Sequence, residues 1–161
     1  MRLALYQPDI APNVGAMMRL GACLGIAIDV IEPCGFPFGG KAMRRAALDY
    51  GPHGQVTRHD SWDTFCAQKD DQDRLVLLST KASLCYTDFR FRPGDILMVG
   101  RETSGVPDPV RDRTDAQVTI PMMPGVRSLN VATSAAMVLG EALRQTGSLA
   151  NSQNQGELNA L

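Results

Sequence analysis

Short apolar runs alternate along the chain with segments of helical periodicity. The runs predict buried strands at residues 3–6, 26–31, 75–78, 96–99 and 116–120, with a weaker strand at 55–58. Between them, the pattern predicts helices over about 13–24, 41–48, 61–67 and 130–145, and a short helix near Pro107. Strands that are apolar on both faces are typical of a parallel sheet. We therefore expect an α/β fold, a mostly parallel sheet with helices on both faces.

A single domain is expected to account for most of the 161 residues. No linker or internal repeat divides residues 1–146, whereas residues 147–161, GSLANSQNQGELNAL, are polar and predict a disordered C-terminal tail. The sequence contains no apolar run of membrane-spanning length and no signal peptide, and its four cysteines lack metal-binding spacing. These features favour a reduced, cytoplasmic protein without a membrane partner.

Missing motifs exclude several common kinds of site. The sequence has no GxGxxG dinucleotide motif, no P-loop, no GxSxG nucleophile motif and no HExxH zinc motif. With only two histidines, no metal site is expected. The net charge of −1 gives no global sign of nucleic-acid binding, although arginines, which suit flat contacts with phosphate, outnumber lysines.

Ligands of parallel α/β sheets usually bind at the carboxyl ends of the strands. The unusual residues of this chain follow Tyr6, Leu78, Val99 and Ile120, each at the predicted end of a strand. We therefore expect one site built from four loops that are far apart in sequence.

The segment PNVGAMMRLGACLG carries one charge in a helix that looks buried. Asn13 is the expected N-cap, and side chains on a helix lean toward its N-terminus. Arg19 is therefore expected to lean past Gly15 and to present its guanidinium at the open end of the helix. The alternative is an arginine with a buried stem whose charge reaches water or a carboxylate.

Two later segments contain further polar residues at strand ends. In LMVGRETSGVP, Gly100 ends a strand and Glu102 follows in a tight loop; in IPMMPGVRSLN, Ser128 and Asn130 lie at the start of the last helix. Taken alone, the first segment is explained more simply as an ordinary strand-to-helix turn, and Ser128 and Asn130 of the second as capping residues of an amphipathic helix.

Together the three segments resemble, in order, the motifs of the SPOUT superfamily of RNA 2′-O-ribose methyltransferases. The motifs are N-x-G-x-x-x-R at 13–19, G-x-E-x-x-G at 100–105 and I-P…R-S-L-N at 120–130, and the resemblance extends from Leu3 to about Gln145. Within the superfamily the chain looks most similar to the minimal TrmL group of tRNA wobble-nucleotide methyltransferases. The resemblance implies an α/β-knot with a C-terminal trefoil knot, and a homodimer with sites at the subunit interface.

The cofactor implied by the resemblance is S-adenosyl-L-methionine, with S-adenosyl-L-homocysteine as the product. By motif position, its contacts are expected to be Leu78, Gly100, Ile120 and Ser128. Leucine and isoleucine suit the flanks of an adenine, serine offers a hydroxyl, and glycine lets its backbone approach the cofactor closely.

The catalytic residues implied by the resemblance are Arg19, Asn13, Glu102 and Asn130. The two asparagines are expected to fix the ribose and the loops, and Glu102 to orient Arg19 or a neighbouring group. A guanidinium stays protonated in proteins. We therefore favour orientation and charge stabilisation by Arg19, while a true base organised by a phosphate or by Glu102 stays open.

The implied partner is the anticodon stem-loop of a tRNA, expected to be tRNA-Leu, with cytidine or modified uridine as the wobble nucleotide. Expected RNA contacts are Arg127 and the cluster Lys41, Arg44 and Arg45, and a second cluster is expected from Arg90, Arg92 and Arg101. Each cluster is equally compatible with a solvated face. Alternative functions are methylation of another tRNA or rRNA position, a non-catalytic RNA-binding dimer, and a cysteine-dependent hydrolase.

Overall fold

Six parallel strands form the centre of the part of the chain that the computed structural model describes, residues 1–41, 43, 45 and 54–149. The strands are β1 (Arg2–Tyr6), β2 (Ala27–Ile31), β3 (Val56–His59), β4 (Leu75–Leu78), β5 (Ile96–Val99) and β6 (Ala116–Val118). Their order across the sheet is β3-β2-β1-β5-β4-β6, and all neighbouring pairs are parallel. The predicted parallel α/β fold is confirmed.

Helices cover both faces of this sheet. The described helices are α1 (Ala11–Leu24), α2 (Trp62–Gln68), α3 (Asp108–Arg111) and α4 (Val131–Thr146). Because side chains alternate along a strand, Leu3 and Leu5 of β1 lie in the core beneath α1 and α4, whereas Ala4 and Tyr6 lie in the core that contains Phe65 of α2. Helices α1 and α4 also contact each other.

The first helix begins earlier than the sequence predicts. Helix α1 starts at Ala11, with Ile10 as the N-cap residue and no side-chain capping bond. Pro12 is tolerated there because the first turn of a helix has no internal partner for its missing N–H. The prediction of Asn13 as N-cap is therefore wrong, and its side chain is available for other contacts.

Helix α1 is also not buried on every side. Val14 and Met17 pack into the core, but Ala16, Arg19 and Cys23 are exposed on the opposite side. Because Ala16 and Cys23 are small and uncharged, only Arg19 marks this exposed face in the sequence, and no polar pattern reveals it.

Ser61 and Asn130, the first residues of two predicted helices, are N-caps in the structure. The hydroxyl of Ser61 accepts a hydrogen bond from the backbone N–H of Thr64 at 3.1 Å, and Asn130 caps α4. Strand β6 ends two residues before its predicted end, because the backbone of Thr119 bonds to residues 84 and 86 instead of to β4. Such a switch of partner depends on the tertiary fold.

Part of the predicted helix 41–48 lies outside the described residues, including Arg44, as does the predicted tail from residue 150 onward. Lys41 and Arg45 are described and exposed. In the described part of the chain, none of the helices has the length and apolar character needed to cross a bilayer.

The strand order positions the site. Strands β1 and β5 are neighbours although about ninety residues separate them, and the chain builds outward from this pair in both directions. In sheets of this kind, ligand sites usually lie at the carboxyl ends of the strands, next to such a pair.

Candidate active site

A cavity of about 560 Å³ lies at the carboxyl ends of the strands. Its walls come from four separate stretches of chain, at residues 10–13, 77–81, 99–106 and 119–134, together with Arg111 of α3. These stretches include the loops after β1, β4, β5 and β6. The convergence of four distant loops that the sequence predicts is confirmed.

Most of the predicted site residues line this cavity. The four expected cofactor contacts do so, namely Leu78, Gly100, Ile120 and Ser128. Three of the four expected catalytic residues and one expected RNA contact also do so, namely Asn13, Glu102, Asn130 and Arg127. Ile120 is buried in its floor, whereas Ser128 lies exposed toward its mouth.

Three side chains in the cavity wall form a continuous chain of hydrogen bonds. The amide nitrogen Nδ2 of Asn13 donates to Oε1 of Glu102 at 2.9 Å. The amide nitrogen Nδ2 of Asn130 in turn donates to Oδ1 of Asn13 at 3.0 Å. Oδ1 of Asn130 accepts from the backbone N–H groups of Ala132 and Thr133 at 2.9 and 3.2 Å. The chain therefore ties the β5 loop to α1 and to the N-terminus of α4.

Glu102 holds a second loop with its other oxygen. Oε2 accepts a hydrogen bond from the backbone N–H of Asp9 at 2.8 Å. Glu102 was expected to orient Arg19 or a neighbouring group. In the structure its hydrogen bonds go to a neighbouring group, Asn13, and to the loop after β1.

Asp9 clamps the loop after β1 onto the loop after β5, and the sequence analysis did not identify it. Its carboxylate accepts from the Arg101 guanidinium and from the hydroxyl of Thr103 at 2.6 Å. The Arg101 bond, followed by the Thr103 bond, lowers the pKa of Asp9 below its ordinary value. The position of an aspartate in the loop three residues after the end of β1 was the only signal that could have revealed this contact.

Gly100 is also required by the geometry of the loop that follows it. A Cβ on Gly100 would lie 2.6 Å from the carbonyl carbon of Gly105, where the two arms of the loop approach each other. Arg101 and Gly105 exchange backbone hydrogen bonds at 3.0 and 2.9 Å, and Gly105 has a positive φ of 69°. Both glycines of the motif are thus required by the tight loop itself.

Arg19 lies apart from the other predicted catalytic residues. It is exposed on α1 and is not among the described residues that line the cavity. Within one chain, the expected approach of Arg19 to the mouth of the site is therefore not seen.

The expected second basic cluster does not form. Arg101 lies at the carboxyl ends of the strands, where it lines the cavity. Arg90 and Arg92 lie at the amino ends, because their backbones bond to Arg74 and Asp95, which directly precede β4 and β5. The length of the sheet therefore separates them from Arg101.

The described residues include no group of three histidine, cysteine or acidic side chains that could hold a metal ion. Burial, together with the nearby Glu32, raises the pKa of the Cys34 thiol to about 11. Such a thiol stays protonated at neutral pH and is a weak nucleophile, which disfavours a cysteine-dependent hydrolase that uses Cys34.

Known proteins with similar sequences and folds are RNA methyltransferases. The sequence model of the SpoU rRNA Methylase family matches residues 1–140. A protein of Beijerinckia indica subsp. indica named tRNA (cytidine(34)-2'-O)-methyltransferase is 58% identical over 149 residues, 92% of this chain and 93% of that protein.

Solved structures agree with this result. One that concerns the 2-OH methylation of C/U34 on tRNA has a TM-score of 0.86 and 38% identity, covering 89% of this chain and 94% of the other. The SpoU methyltransferase AviRb from Streptomyces viridochromogenes, in complex with the cofactor AdoMet, has a TM-score of 0.81 and 24% identity over 90% of this chain and 60% of that one. This second likeness shows a shared fold.

Proposed function

Because the chain belongs to the SpoU rRNA methylase family, we propose that it methylates the ribose 2′-hydroxyl of the wobble nucleotide, cytidine or modified uridine, in a tRNA. The methyl donor is S-adenosyl-L-methionine. The observation that carries this proposal is the meeting of four loops in one cavity whose wall contains the Glu102–Asn13–Asn130 chain. The similarity to wobble-nucleotide methyltransferases over nine-tenths of the chain supports the choice of nucleotide.

The cavity suits S-adenosyl-L-methionine in size and in chemistry. Its volume of about 560 Å³ lies in the range of small-molecule sites, and its lining combines apolar and polar side chains. Leu78 and Ile120 would hold the adenine, and Ser128 and the backbone near Gly100 would hold the polar parts. Bound there, S-adenosyl-L-methionine supplies a methyl group on a sulfonium that an oxygen nucleophile accepts.

The residues of the chain then have to position a sugar and stabilise charge. Transfer requires the ribose oxygen to be held in line with the methyl group, at about 3–3.5 Å. Asn13 and Asn130, fixed by Glu102, are rigid enough to orient the ribose or the loops around it. Arg19 would stabilise the negative charge that develops on the 2′-oxygen as its proton leaves.

Arg19 would do so in the site of a second subunit. It is exposed on the face of α1 that carries Ala16, next to α4, which exposes Ala136 and Met137. Small and apolar side chains on two adjacent helices suit close packing against another copy of the chain. We propose a homodimer in which this face brings Arg19 to the partner's cavity.

The proposed fold includes a C-terminal trefoil knot. After the edge strand β6, the chain returns to the centre, where α4 packs against β5 and α1. The residues that lead into α4 lie beside the β5 loop in the same cavity. This return past the β5 loop supports a threaded path.

The proposed RNA contacts extend outward from the cavity. Arg127 lines its mouth, and Lys41 and Arg45 are exposed on the segment after β2. With Arg44, they would contact the anticodon stem-loop, whose single-stranded bases are a common target of specific recognition.

Methyl transfer to bulk tRNA tests the proposal. The protein is incubated with tRNA and methyl-labelled S-adenosyl-L-methionine, and the labelled nucleosides are mapped. Label in a 2′-O-methylated nucleotide at the wobble position is the expected result. Label at another tRNA position, or label only in a parallel incubation with rRNA, would assign the methyl transfer to a different RNA position. RNA binding without transfer would favour a non-catalytic binding dimer.

A further inference from the structure

The cavity carries more positive charge than its proposed methyl donor requires. Among the described residues, its wall holds the cationic side chains of Lys81, Arg101, Arg111 and Arg127, against the single carboxylate of Glu102. The lining also includes Asn130 and Val131 at the N-terminus of α4, where the helix dipole adds positive potential.

Two of these cations already have carboxylate partners. Arg101 is paired with Asp9, and Arg111 with Asp108 at 2.8 Å. Glu102 itself is occupied by its bonds to Asn13 and to the backbone of Asp9. Within the described chain, Lys81 and Arg127 form no ion pair, and both are exposed.

The backbone that carries Lys81 is fixed at the end of β4. The N–H of Lys81 donates to the Ser79 hydroxyl at 3.1 Å, and the N–H of Ser79 donates to the carbonyl of Val118 at 2.9 Å. Lys81 is thus rooted in a short ordered turn at the cavity, on a different loop from Arg127.

The charge of the donor decides what these two cations bind. S-adenosyl-L-methionine carries a sulfonium, an ammonium and one carboxylate, so that it is a net cation. Additional positive side chains disfavour it unless an anion enters with it. Each phosphodiester of RNA supplies one such negative charge.

We propose that Lys81 and Arg127 form a phosphate clamp, which receives backbone phosphates next to the target ribose. The clamp rests on the proposed function and identifies Lys81 as a positioning residue for the RNA. The proposal requires that the phosphates of the RNA neutralise the positive charge of Lys81 and Arg127. The alternative is that these two side chains bind the carboxylate of the donor.

The variants Lys81→Gln, Arg127→Gln and the double variant separate these two anions. An anticodon stem-loop RNA is titrated by fluorescence anisotropy over a range of salt concentrations, and S-adenosyl-L-methionine by calorimetry without RNA. Arg113→Gln, an exposed arginine outside the cavity lining, is the matched control.

We expect each single variant to weaken RNA binding about 5- to 10-fold and to reduce the salt slope by about one. Donor affinity should stay the same or rise, and the control should behave as wild type. Unchanged RNA affinity and slope, or a loss of donor affinity alone, would overturn the clamp. Methyl transfer by the wild type is measured in parallel, so that an inactive wild type contradicts the proposed function separately from the clamp.

Discussion

At the scale of single residues, one carboxylate sets the orientation of two amides. Glu102 accepts hydrogen bonds only, so Asn13 must turn its nitrogen toward it. The oxygen of Asn13 then faces Asn130, whose nitrogen must donate and whose oxygen is left to cap α4. Each group has one arrangement that satisfies all its bonds, and the polar wall of the cavity is therefore preorganised.

Asn130 combines two roles that substitution can separate. Asn130→Ser keeps a helix-capping oxygen but loses the bond to Asn13, whereas Asn130→Ala loses both. We expect the free energy of unfolding of Asn130→Ser to lie within about 0.5 kcal/mol of the wild-type value, and that of Asn130→Ala to be about 1 kcal/mol lower than wild type. Both should lower turnover by at least about tenfold. Urea unfolding and methyl-transfer rates measure the two effects, and a fully active Asn130→Ser would remove Asn13–Asn130 from the catalytic role.

Asp9 gives the clamp between two loops a defined pH dependence. Its pKa is lowered in the folded chain by Arg101 and Thr103, so its contribution to stability is present above the unfolded pKa and is lost as pH falls through the folded pKa. We expect wild type to be more stable than Asp9→Asn at neutral pH. The difference should shrink as the pH falls below about 3.8, the ordinary value for aspartate. Urea unfolding from neutral to acidic pH measures this difference in stability. A difference that widens in acid would contradict a stabilising role for the contacts of Asp9 with Arg101 and Thr103.

At the scale of elements, the loop after β5 depends on two arms that touch. A Cβ added at Gly100 would clash with backbone atoms of Gly105. Because these are backbone atoms, a side-chain movement cannot remove the clash. Gly140, in the middle of α4, has open space where its Cβ would be. The two glycines therefore make a matched pair.

We expect Gly100→Ala to destabilise the fold by about 1–3 kcal/mol, because the loop must shift to accept the added methyl group. Gly140→Ala should stabilise the isolated subunit by about 0.5–1 kcal/mol, because alanine is the better helix former. Gly140 lies one turn after Ala136, on the face proposed to meet the partner, so this expectation holds for the free subunit. Thermal and urea unfolding measure both changes. Equal stability of Gly100→Ala and wild type would show that the loop is not closed as described.

Sequence patterns predicted the elements whose cause is local. The apolar runs of β4 and β5 were placed correctly, as were the caps Ser61 and Asn130, because burial and capping depend on neighbours in sequence. The start of α1 was misplaced because Pro12 fits a first turn as well as a loop.

The misplaced parts of the site depend on tertiary contacts. Nothing local joins Asp9 to Arg101, ninety-two residues away. Arg90 and Arg101 are close in sequence but lie at opposite ends of a strand. The resemblance to a known family supplied the grouping of Asn13, Glu102 and Asn130, which periodicity alone left open.

At the scale of the whole molecule, the strand order explains why loops far apart in sequence share one cavity. The loops after the neighbouring strands β1 and β5 are tied together by Asp9 and Glu102 on one side of the cavity, and the loops after β4 and β6 complete its wall. Arg19 lies outside this arrangement within one chain. The whole active site is therefore expected only in the dimer.

Mixed dimers test this division of labour. Arg19→Ala alone should bind S-adenosyl-L-methionine normally but lose at least about 100-fold in turnover. Ser128→Trp should block the cavity while leaving Arg19 in place. If Arg19 acts across the interface, mixing the two inactive variants restores about one quarter of the wild-type activity, since half of the dimers regain one site. Absence of any recovery, with mixed dimers verified by mass spectrometry, would place Arg19 in its own subunit's site or outside the reaction.

The most direct measurement is a crystal structure of the protein bound to S-adenosyl-L-homocysteine. The product is predicted to lie in the cavity, in contact with Leu78, Gly100, Ile120 and Ser128, with its sulfur facing the side that holds Asn13 and Asn130. A product bound elsewhere on the chain, or one whose sulfur is turned away from the two asparagines, would contradict the assignment of this cavity as the methyl-transfer site.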